Sequence, residues 1–172
     1  MTESHQTACE LLITADVVVT QDPERGVLED AAIAVDNGRI AAIGPRKNFT
    51  GYVAAKKLHL GSSLVLPGLV NAHTHVAMTF LRGVADDLPL MDWLNGHIFP
   101  RETHLTAQLV EAGSLLGCAE MTRTGTTTFA AMYLPEDAVA AAAGATRRRA
   151  VVGEGIMMFT SPAHSPHAQS VA

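Results

Sequence analysis

The fold is decided by the stretch Leu64-Val65-Leu66-Pro67-Gly68-Leu69-Val70-Asn71-Ala72-His73-Thr74-His75. Residues 64–72 form a nearly continuous apolar run, which is typical of a strand buried on both faces of a parallel sheet. Two histidines follow at the end of this run. Because side chains alternate along a strand, both imidazoles should leave the same side of it. The sequence therefore predicts a buried strand whose C-terminal end carries a pair of imidazoles.

Helical and extended patterns alternate after this strand. The sequence predicts a helix over 104–123, a strand over 126–132, a helix over 136–145 and a further strand from Ala150. This alternation indicates parallel β/α units. In the first helix, apolar residues recur at spacings of three and four, which predicts that they form its buried face. These residues are Leu105, Leu109, Ala112, Leu116 and Ala119.

Upstream of the deciding stretch, the chain has a different pattern. Short segments rich in β-branched and other apolar residues cover 11–20, 31–35 and 39–44, and no helical period is present. Asp36-Asn37-Gly38 separates the last two, and Asn-Gly is a strong hairpin signal because both residues tolerate positive φ. We therefore expect a small antiparallel β unit here, with the domain boundary between residues 63 and 64.

The second domain, residues 64–172, has room for about three β/α units. A closed (β/α)8 barrel needs about 250 residues, and an open three-stranded parallel sheet would expose its edges and apolar faces. The sequence thus predicts an incomplete barrel, which is either a fragment or completed by a partner.

Composition limits the functional classes. The chain has 172 residues, of which 48% are hydrophobic and 17% charged, with a formal net charge of -5. This balance argues against a nucleic-acid partner. Neither Cys9 nor Cys118 belongs to a C-x-x-C pair, so neither a cysteine zinc site nor a disulfide scaffold is expected. No signal peptide and no stretch of about 18 apolar residues is present, so we expect no membrane span and a cytoplasmic location.

The chemistry-bearing feature is the His73-Thr74-His75 motif. Two neutral imidazoles on one side of a strand can bind one metal ion together, and the C-terminal ends of strands are where β/α barrels carry their active sites. The alternative is that two polar side chains merely cap a strand end. The preceding apolar strand and the Pro67-Gly68 turn favour the metal.

The motif and its continuation resemble a known family. The segment 66–75 resembles the first-strand signature of the amidohydrolase superfamily. The segments 78–87, 90–94 and 99–102 are similar to the 5'-methylthioadenosine/S-adenosylhomocysteine deaminase group, which is close to the s-triazine hydrolases. The resemblance covers roughly residues 10–160. Members of the family are much longer, so it implies that this chain is an N-terminal fragment.

The resemblance implies an α/β fold: the N-terminal part of a metal-dependent (β/α)8 barrel, preceded by half of a small composite β-sandwich. It also implies hydrolytic deamination of an adenosine-like nucleoside, a small-molecule substrate. His73 and His75 would be the first two ligands of a divalent metal, Zn²⁺ in most members, with Fe²⁺ as the alternative. A third His, an Asp and a proton-shuttling Glu would lie beyond residue 172, so the isolated chain is expected to be inactive.

Alternatives remain open at this stage. One is an amino- or chlorohydrolase that acts on an s-triazine or another heteroaromatic ring, and another is a truncated, non-catalytic product. The sequence also leaves the oligomeric state open, and a homo-oligomer is possible.

On the substrate side, the resemblance points to Glu102 and Trp93. Glu102 would accept hydrogen bonds from ribose hydroxyls, although an acid near a helix start has the same pattern. Trp93 would stack in the nucleoside pocket, although it could instead anchor its loop. Arg82 is predicted to form a structural ion pair. Ala131 departs from the family, which commonly has Asp before Met-Tyr at this strand end.

Overall fold

Two separate sheets form the β structure of the computed structural model, which describes residues 6–153. The strands are β1 (Thr7–Val19), β2 (Val27–Asp36), β3 (Arg39–Pro45), β4 (Tyr52–His59), β5 (Leu64–Val65), β6 (Leu69–Thr74), β7 (Thr126–Ala131) and β8 (Arg149–Val152). The helices are α1 (Leu90–Trp93), α2 (Phe99–Glu102), α3 (Ala107–Arg123) and α4 (Glu136–Ala145). The chain divides into two compact units between Pro67 and Gly68. Each unit contains one of the two sheets.

The first unit contains a sheet of order β3-β2-β1-β4, with β5 also paired to β1. As predicted, β2 and β3 form an antiparallel hairpin, and Asn37 and Gly38 at its turn have φ of 50° and 69°. A turn with positive φ at both central positions is one of the two kinds that match the twist of the flanking strands. The Asn-Gly pair therefore sets the register of this hairpin.

The prediction of a wholly antiparallel unit is wrong, because β4 and β5 run parallel to β1. A 3₁₀ turn at Arg46–Phe49 lies between β3 and β4. Phe49 is buried in this turn and packs in a cluster with Cys9 and Leu12. The buried Phe49 ring thus anchors the connection from β3 to β4. After this connection, β4 runs parallel to β1 and not antiparallel to it as expected. A hydrophobic pattern shows which face of a strand is buried, but it does not show which way the strand runs.

The run 64–72 is also not one strand. Leu64 and Val65 pair with β1, and β6 begins only at Leu69, whose backbone N–H donates to the Gly125 carbonyl at 2.9 Å. Pro67 lies between the two strands and cannot donate to a ladder. Leu69 and Val70 are 49% and 66% exposed, so within the described residues β6 is not buried on both faces.

The second unit contains the parallel sheet β6-β7-β8. Helix α3 lies between β6 and β7 in the chain, and α4 lies between β7 and β8. The predicted parallel β/α units are therefore confirmed. The apolar core of this unit consists of Val76, Ala77, Val110, Cys118, Phe129, Ala131, Ala138, Val139 and Ala143. No helix among residues 6–153 is long and apolar enough to span a membrane.

The predicted buried face of the first long helix is wrong. Helix α3 begins at Ala107, with Thr106 as its N-cap, and Leu109 and Leu116 are 50% and 47% exposed. The buried residues are instead Val110, Gly113, Ser114, Gly117 and Cys118.

The close approach of α3 to the segment Val76–Leu81 explains which face of the helix is buried. A Cβ on Gly113 would lie 2.3 Å from the Ala77 carbonyl oxygen, and one on Gly117 would lie 2.6 Å from Val76 Cγ2. The two glycines therefore let α3 pack directly against the 3₁₀ segment Val76–Leu81, which follows the His pair. Larger apolar residues on the other face could not approach this segment as closely.

Substitution of Gly113 by alanine tests this packing. We expect Gly113→Ala to lower the free energy of unfolding by about 1–3 kcal/mol, because the added methyl group overpacks a backbone contact. The matched control is Gly144→Ala in α4, where a Cβ meets nothing within 4 Å and helix propensity should add up to about 1 kcal/mol. Urea unfolding of the full gene product measures both, and equal stability of the two variants would contradict the packing.

Candidate metal and substrate site

The His pair lies where β6 ends beside the end of β7. Thr74 is the register partner of Ala131, so the parallel pairing brings the last residues of both strands together. The rings of His73 and His75 are 5.3 Å apart between centroids and nearly perpendicular. Val76, the next residue, is 2% exposed in the apolar core. The core therefore holds the chain immediately after the two imidazoles.

A backbone carbonyl sets the tautomer of the neutral His75 ring. Its Nδ1 lies 2.6 Å from the carbonyl oxygen of Met132, just past the end of β7. Because a carbonyl oxygen can only accept, Nδ1 must carry the proton in this hydrogen bond. The other ring nitrogen, Nε2, is then free to donate its lone pair to a cation when the imidazole is neutral. Metal-binding histidines commonly donate their other ring N–H to a backbone carbonyl in this way. The available ring nitrogen therefore suits a divalent metal.

The described residues supply an incomplete set of ligands. Among residues 6–153, no group of three or more His, Cys, Asp or Glu side chains is placed to hold a metal. His97 is half-buried and His104 is exposed, and neither lies at a strand end. Catalytic zinc sites generally have three protein ligands. His73 and His75 can thus form only part of such a site.

Glu102 is held by Tyr133, a residue that the sequence pattern does not mark as part of the site. The hydroxyl group of Tyr133, two residues past β7, donates to Glu102 Oε1 at 2.8 Å. The Tyr133 ring is also 6.4 Å from the His75 ring between centroids. Glu102 does not lie in the first turn of α3, which begins at Ala107. It does lie in the first turn of the four-residue helix α2, so its position near a helix start accompanies the contact with Tyr133.

Burial raises the pKa of the Tyr133 hydroxyl well above its usual range, and the hydrogen bond to Glu102 and its charge raise it further. The phenol therefore stays protonated at neutral pH and remains a donor. A tyrosine directly after a strand end, where barrels carry their chemistry, was the available signal for this residue.

Trp93 makes a contact that anchors a loop. Its indole Nε1–H donates to the Val84 carbonyl oxygen at 2.8 Å. The ring also lines a cavity of about 520 Å³ together with Met78, Arg82 and Leu88. The loop-anchor role therefore has a direct contact, and Trp93 also borders a cavity.

Arg82 forms the structural ion pair that the sequence predicts. Two guanidinium nitrogens donate to the two carboxylate oxygens of Glu120 on α3, at 2.9 and 2.7 Å. This bidentate contact raises the pKa of Arg82 and lowers the pKa of Glu120. Both side chains are exposed, so the pair should contribute little to the stability of the fold.

Comparison with known proteins now identifies the family. The model of the Amidohydrolase family matches residues 64–171, and the chain belongs to this family. A 5-methylthioadenosine/S-adenosylhomocysteine deaminase from Nitratidesulfovibrio vulgaris is 60% identical over 157 residues, which cover 91% of this chain and 36% of that protein. A 5'-deoxyadenosine deaminase from Methanosarcina barkeri is 44% identical over 148 residues, covering 86% of this chain and 34% of that protein. The chain thus spans about a third of the length of the curated relatives it matches.

Solved structures confirm the fold class. A zinc-bound adenosine deaminase from Xanthomonas campestris superimposes with a TM-score of 0.85 at 43% identity, covering 95% of this chain and 38% of that one. Atrazine chlorohydrolase from Arthrobacter aurescens matches with a TM-score of 0.77 at 23% identity, covering 87% of this chain and 36% of that one. At that identity the likeness shows the fold alone. These neighbours are amidohydrolase (β/α)8 barrel enzymes, and this chain corresponds to about a third of one.

The anchoring role of Trp93 can be tested by Trp93→Phe, which keeps an aromatic ring but removes the indole N–H. A neutral hydrogen bond contributes about 0.5–1.5 kcal/mol, so amide hydrogen exchange over residues 83–88 should become up to about tenfold faster. Exchange in β7 is the internal control and should not change. Unchanged exchange in the loop would mean that the contact with Val84 does not hold it.

Proposed function

We propose that the protein containing this chain is a metal-dependent deaminase of an adenosine-like nucleoside, with 5'-methylthioadenosine or S-adenosylhomocysteine as the substrate. The observation that carries this proposal is the junction at the ends of β6 and β7. There, His75 has its Nε2 free beside His73, and Glu102 is held by Tyr133. The substrates of the similar deaminases support the substrate class.

Zn²⁺ is the metal that we propose. Neutral imidazoles suit zinc, and the similar adenosine deaminase from Xanthomonas campestris has zinc bound. A divalent ion at this position would lower the pKa of water so that a nucleophile is available at neutral pH. His73 and His75 would provide two of its ligands, and residues outside 6–153 would complete the set.

The other residues of the site act on the substrate. We propose that the Glu102 carboxylate accepts hydrogen bonds from the ribose hydroxyls and so fixes the sugar. Trp93 forms a wall of the cavity beside the loop after β6 and could pack against an apolar part of the substrate. Correct placement of the reacting carbon is a large part of catalysis, which gives both contacts a role without direct participation in bond cleavage.

Substitution of the His pair tests the metal. In the full gene product, we expect His73→Asn and His75→Asn each to reduce bound zinc, with a loss of affinity of at least tenfold. His104→Asn is the matched control, because His104 is exposed and lies away from the strand ends. Metal analysis after dialysis against a weak chelator measures the effect. Full zinc content in both strand-end variants would refute the assignment of these ligands.

The reaction is tested by ammonia release from the zinc-loaded full gene product. We expect turnover of methylthioadenosine, S-adenosylhomocysteine or adenosine, and no turnover of an s-triazine. Triazine hydrolysis without nucleoside deamination would replace the proposed function by the heteroaromatic-ring alternative. No turnover of either class would favour a non-catalytic product.

The 172-residue chain alone should behave differently. Because residues 6–153 place only two imidazoles together, we expect the isolated chain to release no ammonia from these nucleosides, even at stoichiometric zinc. The full gene product at the same concentration is the control. Robust turnover by the purified 172-residue chain would mean that two histidines suffice or that another arrangement supplies the missing ligands.

A further inference from the structure

Two consecutive residues after β7 each hold one part of the candidate site. The carbonyl of Met132 accepts the His75 Nδ1 hydrogen, and the hydroxyl of Tyr133 donates to Glu102. The sequence separations are 57 and 31 residues, so both contacts depend on the tertiary fold. One short segment therefore links the imidazole pair to the carboxylate of Glu102.

Glu102 needs such a contact, because its own element does not fix it. It is the last residue of α2, a helix of four residues. Residues 103–106 separate it from α3, and the Thr103 side chain binds the Pro100 carbonyl rather than the carboxylate. A carboxylate on so short an element keeps several rotamers unless a partner selects one. The 2.8 Å contact from Tyr133 supplies that partner.

We propose that Tyr133 is a positioning residue that sets specificity for a vicinal diol, and this inference rests on the proposed function. An ionised carboxylate has about four acceptor sites. The phenol occupies one site on Oε1, which leaves Oε2 free together with the second lone pair of Oε1. Two adjacent hydroxyl groups of a ribose can donate to these remaining sites. Tyr133 touches neither the substrate nor the metal in this scheme and acts through Glu102.

A purely structural tyrosine would have a different signature. Loss of packing or of stability would lower activity toward every substrate to the same extent. Loss of carboxylate orientation should affect only those substrates that use the carboxylate. Adenosine and 2',3'-dideoxyadenosine share the reacting base and differ in the two hydroxyl groups, so comparison of the two separates these roles.

The experiment uses Tyr133→Phe in the full, zinc-loaded gene product. We expect kcat/KM for adenosine to fall about tenfold, mainly through KM. The reason is that loss of a hydrogen bond to a charged group weakens binding by about tenfold. The value for 2',3'-dideoxyadenosine should change less than about twofold, and zinc content should not change. Tyr52→Phe is the matched control, since Tyr52 lies in the first unit with its ring against Phe49.

A double variant tests whether Tyr133 acts through Glu102. If Tyr133 acts through Glu102, Tyr133→Phe should have no further effect on the adenosine to dideoxyadenosine ratio once Glu102→Ala is present. Equal losses for both nucleosides, or no loss for either, would overturn the positioning role while leaving the deaminase proposal intact. A wild-type protein that deaminates neither of these nucleosides, and neither methylthioadenosine nor S-adenosylhomocysteine, would overturn both.

Discussion

Parallel pairing of β6 with β7 brings the two imidazoles of the candidate site beside the residues that follow β7. The pairing places Thr74 beside Ala131, and the backbone N–H of Met132 donates to the Thr74 carbonyl at 3.3 Å. The two strands therefore end at the same level, and the residues just beyond them can meet. His75 reaches the Met132 carbonyl only because of this register. A shift by one residue would turn the imidazole toward the opposite face.

Helix α3 supports this register from the other side of the strand end. The 3₁₀ segment Val76–Leu81 follows the His pair directly and packs on α3 through Gly113 and Gly117. The Thr79 hydroxyl also donates to the Gly113 carbonyl at 2.6 Å. Protein interiors are densely packed, so a displacement of α3 would move Val76 and, with it, His75. Two glycines far from the imidazoles in sequence thus contribute to their placement.

The sequence predicts the site better where the information is local. The strand-end position of His73 and His75 follows from a ten-residue pattern, and the hairpin at Asn37 follows from two residues. The contact of Tyr133 with Glu102 joins residues 31 positions apart, and no periodicity contains it. The buried face of α3 was mispredicted for a related reason. Hydrophobicity favoured the leucines, but the neighbouring segment left space only for residues without large side chains, and that space is set by the fold.

Ala131 stands where the resemblance predicts Asp, and it lies in the apolar core of the second unit. The side chain is 6% exposed and lies in the apolar core with Phe129 and Val139, whereas His73 is exposed at the strand end. A carboxylate at position 131 would be desolvated and would need a buried partner to offset a cost of several kcal/mol. Alanine needs none, and its backbone still accepts a hydrogen bond from the Gly153 N–H at 3.1 Å. The strand pairing and the carbonyl that orients His75 come from the main chain. The substitution therefore changes the core beside the site and leaves the contacts that place the imidazole intact.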